Sequence, residues 1–230
     1  VESARKLGLA IEEIQTISGR MQTSAELSKD ILALSNVIGK DPLDLAEGYY
    51  QTLSNQVVEA SEAFGLMSRA AKLATITGAE TGDAINALSS VMNSYNMSAE
   101  QAEHVSGTLF ATIEQGRLRL SDIANTLGRV TPLTAELGIS WEETAAAIAT
   151  MTRQGVRADT AITQLRAVVS RLIKPTDEMR EIFHQWGVED GEQAIKTFGG
   201  LRGVLAKLSE ETGGSSTEMA KLLRRVRAIT

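Results

Sequence analysis

Residues 138–175 read GISWEETAAAIATMTRQGVRADTAITQLRAVVSRLIKP and carry the signals of a complete helical hairpin. Ser140 and Glu143 have the spacing of a capping box, in which each side chain binds a free backbone N–H at a helix start. The alanine-rich run that follows has high helix propensity. Gly155 predicts the end of this first helix, because glycine tolerates the left-handed conformation that closes many helices.

A second helix follows Gly155 and is expected to end before Pro175, since a proline disfavours helical conformation in the preceding residue. Its apolar residues recur at helical spacing and form one stripe: Ile162, Leu165, Val169 and Leu172. No segment of the chain has the alternating pattern of a strand. The sequence therefore predicts an all-α fold without a sheet.

The same hairpin pattern begins again at several glycines along the chain, at positions 39, 78, 116 and 138. Helix-start signals follow them: Asp41 with Pro42, Ser98 with Gln101, and Ser121. The intervals of 39 and 38 residues resemble an α-solenoid period, whereas the last, of 22 residues, is short. Two interpretations stay open, an internal duplication or unrelated helices that end at glycine. The prediction is an irregular array of helical hairpins, α-solenoid-like or a bundle.

Three segments are predicted along the chain. Residues 1–38 form two N-terminal helices, the second capped by Thr23 and Glu26. Residues 39–175 form the helical-hairpin core. Residues 176–230 form a smaller helical unit, which begins at the N-cap candidate Thr176 and contains a Gly/Ser-rich linker at residues 212–216.

Composition narrows the classes of protein that fit. Hydrophobic residues make up 43% and aromatic residues 4%, so the core must be built mainly from aliphatic side chains and alanine. The absence of cysteine excludes disulfides and thiolate metal sites. No run approaches the roughly 20 apolar residues that span a bilayer. The chain begins with Val1, which suggests a piece of a longer protein.

Charge is distributed unevenly. The net charge is −6 overall, with −9 on residues 1–150 and +3 on residues 151–230. A basic cluster near the end consists of Lys221, Arg224, Arg225 and Arg227. It is interpreted as a solvated helix face, with DNA phosphate contact as the alternative.

The search for catalytic chemistry finds no convergent set of residues. The two histidines, His104 and His184, lack the spacing of a metal site. The carboxylate pair Glu142–Glu143 suits a helix start, where acids interact favourably with the helix dipole; Glu210–Glu211 is a second pair. No catalytic, cofactor-binding or metal-binding residues are predicted.

The order of elements in residues 138–176 resembles the core region of phage tail tape measure proteins. The matching elements are the Gly-x-Ser-x-Glu-Glu-Thr start, the alanine-rich helix, Gly155, and an exit formed by Leu165, Arg166, Leu172, Pro175 and Thr176. The likeness extends over roughly residues 31–229.

This resemblance implies a structural protein and not an enzyme. Such a protein sets tail tube length during assembly and takes part in genome delivery, in the virion tail lumen and, earlier, in the bacterial host cytoplasm. The implied partners are the tail tube protein, distal tail or baseplate hub proteins, tail assembly chaperones and further copies of the chain, as a trimer or hexamer. A cellular α-helical adaptor that binds peptides or helices is the alternative.

Two sets of small residues are candidates for contacts between copies. They are Ala70, Ala71 and Ala74 in one helix, and Ala145, Ala146 and Ala149 in another. Such faces allow close helix packing. A compact monomer could instead bury both sets internally.

Overall fold

Helices form all the regular secondary structure in the described part of the chain. The computed structural model describes residues 2–19, 22–215, 217–218 and 222. Thirteen α-helices and two short 3₁₀ helices lie within these residues, and no strand does. The all-α prediction is therefore confirmed.

The helices follow one another closely along the chain. They are α1 (Glu2–Ile17), α2 (Ser24–Ile38), α3 (Pro42–Asn55), α4 (Ala60–Thr77), α5 (Thr81–Tyr95), α6 (Ala102–Gly116), α7 (Leu120–Ala124), α8 (Thr131–Glu136), α9 (Trp141–Arg153), α10 (Ala158–Ile173), α11 (Asp177–Gln185), α12 (Gly191–Phe198) and α13 (Leu201–Glu211). The 3₁₀ helices are Ala99–Gln101 and Leu127–Arg129.

Several helix starts use the predicted capping residues. The Thr23 hydroxyl accepts a hydrogen bond from the Glu26 N–H at 3.3 Å, and the Glu26 carboxylate accepts one from the Thr23 N–H at 2.9 Å. The Glu26 carboxylate accepts hydrogen bonds from both the N–H and the hydroxyl of Thr23, and these two bonds hold the pKa of Glu26 below its ordinary value. Asp41 caps α3 by accepting from the Leu43 N–H at 2.7 Å, with Pro42 in the first turn. Local sequence thus sets where α2 and α3 begin.

The first of two compact units, Val1–Gly128, is an array of helical hairpins. Helices α1, α3, α5 and α7 begin at residues 2, 42, 81 and 120, in steps of 40, 39 and 39 residues. In one layer α1 packs on α3, α3 on α5 and α5 on α7. In the second layer α2 packs on α4 and α4 on α6. This two-layer stacking is the architecture of an α-solenoid.

Two of the helix ends predicted in this unit, at Gly116 and Ser121, lie at neighbouring residues instead. Helix α6 includes Gly116, and the left-handed residue after it is Arg117, with φ 54°. The predicted cap Ser121 lies inside α7; the N-cap is Arg119, whose N–H donates to the Asp122 carboxylate at 3.0 Å. The Ser121 prediction was wrong because an acid three residues after the N-cap satisfies a free N–H as well as a serine does.

The second unit, Arg129–Thr230, contains the hairpin of the opening stretch as α9 and α10. Helix α8 packs on both of them, α12 packs on α10, and α13 packs on α12. The predicted apolar stripe of α10 is buried. A Cβ at Gly191 would lie 2.3 Å from the carbonyl oxygen of Leu172, so only glycine allows α12 to approach α10 this closely.

The capping box predicted at the start of α9 is only half formed. The Ser140 hydroxyl accepts from the Glu143 N–H at 3.1 Å, as expected. The Glu143 carboxylate instead accepts a hydrogen bond at 2.8 Å from the Arg202 N–H, in the first turn of α13. Gly200 makes room for it, because a Cβ there would lie 2.5 Å from a carboxylate oxygen. The full box was predicted wrongly because local spacing contains no information on this distant helix start.

The core is aliphatic and rich in alanine, as the composition indicates. Trp141 and Phe183 are the largest fully buried side chains of the second unit. The two compact units divide between Gly128 and Arg129, whereas the predicted boundaries follow residues 38 and 175. The division into those three segments stays a prediction.

Candidate functional site

The histidines and the carboxylate pairs singled out from the sequence all lie on helices. His104 is exposed on α6 and His184 is exposed on α11. In the described ranges, no group of three or more histidine or acidic side chains is arranged to hold a metal ion. Glu211 accepts a hydrogen bond from the Trp186 indole at 2.9 Å, and Glu210 pairs with Lys207 at 3.3 Å. Glu211 thus links α13 to the end of α11, and the Glu210 pair lies within α13.

The aromatic residues pack within the chain. Tyr49 is buried and meets Phe64 edge-on, with ring centroids 5.4 Å apart. Burial raises the pKa of the Tyr49 phenol. Trp141 is buried as well, whereas Tyr50 is exposed. Tyr49 and Trp141 are thus anchors of the packing and offer no platform for nucleic-acid bases.

The small-residue faces are used within one chain. Every alanine of the two sets is buried except Ala146, which is exposed on α9. The interpretation that a compact chain buries both sets internally is the one the structure supports. The buried alanines are therefore not accessible to a second copy of the chain.

Polar side chains join consecutive hairpins of the first unit. The Gln51 amide donates to Asn86, and the Asn86 amide donates to Asn125 at 3.2 Å, so one amide ladder connects α3 and α5 and continues to the residue after α7. Asp44 accepts from both the N–H and the hydroxyl of Thr81. Sequence reasoning missed this ladder. Its signal is the separations of 35 and 39 residues, close to the hairpin period.

Exposed apolar residues occur at matching positions of two successive hairpins. Val37 is 79% exposed and Ile76 is 63% exposed, each two residues before the glycine that ends its helix. A groove of about 480 Å³ lies beside Ile76 and contains Arg69 and Lys72 on its α4 side. The exposed surface of the second layer, formed by α2 and α4, therefore includes apolar side chains.

A second depression, which we call the acidic groove, has a volume of about 680 Å³. It lies where α1 and α3 end and α4 begins, beside the 3₁₀ helix that precedes α6. Its aliphatic side chains are Ile17, Leu53, Val57 and Val58, and its carboxylates are Glu59, Glu62 and Glu100. Among the residues that the structure describes, no lysine or arginine lines it.

The basic cluster of Lys221, Arg224, Arg225 and Arg227 lies outside the described residues, so its position relative to these surfaces is not part of the structure. No described helix combines the length and apolar character needed to cross a membrane.

Comparison with known proteins identifies the kind of chain that carries these features. Residues 28–224 match a family model described as phage-related minor tail protein. A tape measure protein of Pneumococcus phage Dp-1 is 29% identical over 211 residues, which cover 92% of this chain and 17% of the relative. A probable tape measure protein of Clostridium phage phiCD119 is 28% identical over 180 residues, 75% of this chain and 19% of the relative.

No solved structure matches the chain significantly. The chain spans less than a fifth of the length of the two curated relatives. The match to the family model, in contrast, covers most of the chain, which confirms the resemblance seen in the sequence. The chain belongs to the phage-related minor tail protein family.

Proposed function

We propose that this chain is a folded segment of a tape measure protein, a structural component of a tailed-phage or prophage tail. The observation that carries the proposal is the family match over residues 28–224, supported by two tape measure relatives. The whole protein sets the length of the tail tube during assembly and takes part in genome delivery. In this proposal the protein acts as a structural component and not as an enzyme.

The hairpin array suits a folded core and not the ruler itself. A ruler needs a long extended helix, because each helical residue adds about 1.5 Å. The helices of the described residues are instead short, with α4 the longest at 18 residues, and they fold back on one another. The measuring segment therefore belongs to the remaining length of a protein the size of the relatives.

The proposed partners are the tail tube protein, distal tail or baseplate hub proteins and tail assembly chaperones. The chain would act as a homo-oligomer, a trimer or hexamer, in the tail lumen of the virion and in the host cytoplasm during assembly. The proposal includes contact between the basic cluster and DNA. The family match does not favour a cellular helical adaptor.

Mass spectrometry of purified tails tests the proposal. Peptides of this chain are expected in particles that also contain the tube protein, and in tail intermediates isolated before DNA packaging. A host lysate from a strain that lacks the gene is the control. Absence of these peptides from both finished tails and intermediates would contradict a tape measure role.

A further inference from the structure

We propose that the acidic groove of one copy binds the basic segment, residues 221–227, of a second copy. This inference rests on the proposed function, from which it takes the trimer or hexamer. It adds the contact that joins the copies and names the groove and the segment of sequence that form it.

The groove has the composition of a docking surface for an amphipathic segment. Its four aliphatic side chains, Ile17, Leu53, Val57 and Val58, are all at least partly accessible, and Ile17 is 42% exposed. A partner that covers them removes apolar surface from water, which favours association. The groove is formed within the first unit by consecutive hairpins, so the array itself holds it in shape.

Within the described part of the chain, the carboxylates of the groove have no cation to balance them. No ion pair of the described residues involves Glu59, Glu62 or Glu100. Glu100 accepts a hydrogen bond from the Ser98 hydroxyl, which holds its pKa below the ordinary value. All three carboxylates are exposed. They form a single-sign surface beside apolar side chains, and this arrangement selects a cationic, apolar partner.

The basic segment has the complementary composition. Residues 221–227 read KLLRRVR, with four cations and three aliphatic residues in seven positions. The aliphatic residues match the floor of the groove, and the cations match its three carboxylates. No other seven-residue stretch of the chain contains four lysines or arginines.

Symmetry favours a second copy as the source of the segment. A ring of three or six identical chains with one type of contact needs two different patches on each chain, whereas a self-complementary patch closes as a dimer. The acidic groove and the basic segment differ from each other and are complementary in charge and composition, as such a contact requires. Each copy would present its groove to one neighbour and its segment to the other.

Charge reversal on the 230-residue chain tests the contact by sedimentation equilibrium. A groove variant carries Glu59→Lys and Glu62→Lys, and a segment variant carries Arg224→Glu and Arg225→Glu. Each is expected to raise the dissociation constant of self-association by about tenfold or more, since like charges then oppose each other. A chain with all four substitutions is expected to recover association, because the charges are again complementary.

A matched control carries Glu12→Lys and Glu13→Lys on the exposed face of α1, with the same change in net charge. It is expected to associate like the unmodified chain. Far-UV circular dichroism checks that each variant is folded; if Glu62→Lys disturbs the first turn of α4, the neutral pair Glu59→Gln and Glu100→Gln replaces the groove variant. Unmodified association should also weaken at about 1 M salt, where the Debye length is about 3 Å.

Three results would overturn the contact. They are a monomeric unmodified chain at all concentrations, a dissociation constant that neither charge reversal changes, and equal loss in the α1 control. None of them bears on whether the chain is found in tails, so failure of this contact and failure of the proposed function remain distinguishable.

Discussion

At the scale of single residues, one carboxylate connects two helices that are distant in sequence. Glu143 lies in the first turn of α9 and binds the Arg202 N–H, 59 residues away. Gly200 adopts φ 105° beside it, a conformation and a spacing that a side chain would not tolerate. The two residues therefore form one structural contact that fixes the start of α13 against α9.

Removing either half of this contact should lower the free energy of unfolding. Glu143→Gln is expected to cost about 1 kcal/mol, because a charge-assisted hydrogen bond to a free helix N–H is weakened. Gly200→Ala is expected to cost about 1–3 kcal/mol from backbone strain and crowding. Urea denaturation measures both. Glu178→Gln, an exposed acid in the first turn of α11, is the control and should change little.

This contact also separates what could be predicted from the sequence from what could not. Ser140 as N-cap could be predicted, because the cap bonds within four residues of itself. The partner of Glu143 could not, because an acid in a first turn is equally suited to its own helix and to a neighbouring one. The tertiary arrangement decides between them.

At the scale of elements, most of the fold could be predicted from the spacing of the helix ends. The left-handed residue that closes a helix, such as Gly39 or Gly78, is a local property, and so the hairpin period could be predicted. Helix ends without glycine were harder. Arg117 and Gln56 also adopt positive φ, and nothing in their chemistry signals it.

The turn between α9 and α10 gives a test of this scale. Gly155 has φ 93°, which a β-branched residue resists, so Gly155→Val is expected to destabilise the protein by about 1–3 kcal/mol. Gly107 is exposed within α6, and the space that a Cβ would occupy there is open, so Gly107→Ala should stabilise by about 0.5–1 kcal/mol. Thermal denaturation should show shifts of opposite sign. An unchanged melting temperature for Gly155→Val would contradict the strain argument.

The amide ladder gives a second test. Asn86→Ala removes the residue that contacts both Gln51 and Asn125, and is expected to cost about 1 kcal/mol. Asn93→Ala, at an exposed position of the same helix, is the matched control and should be nearly neutral. Equal effects of the two substitutions would mean that the ladder contributes nothing to the stacking of hairpins.

At the scale of the whole molecule, two units have separate cores. Limited trypsin digestion is expected to cut first near Arg129, an exposed residue where the units meet in sequence. The products should then be two resistant fragments, identified by mass spectrometry. Early cuts confined to the regions near residues 38 and 175 would instead support the three-segment division predicted from the sequence.

The proposed function places this folded core in a protein whose length sets the length of the tail tube. The direct measurement is tail length by negative-stain electron microscopy, with the parent gene carrying one of two changes. An in-frame deletion of about 100 helical residues outside this chain is expected to shorten tails by about 150 Å, at about 1.5 Å per residue. Leu172→Asp, which places a charge at a fully buried position, is expected to abolish tails without shortening them. Tails of normal length and number from both mutants would contradict the account.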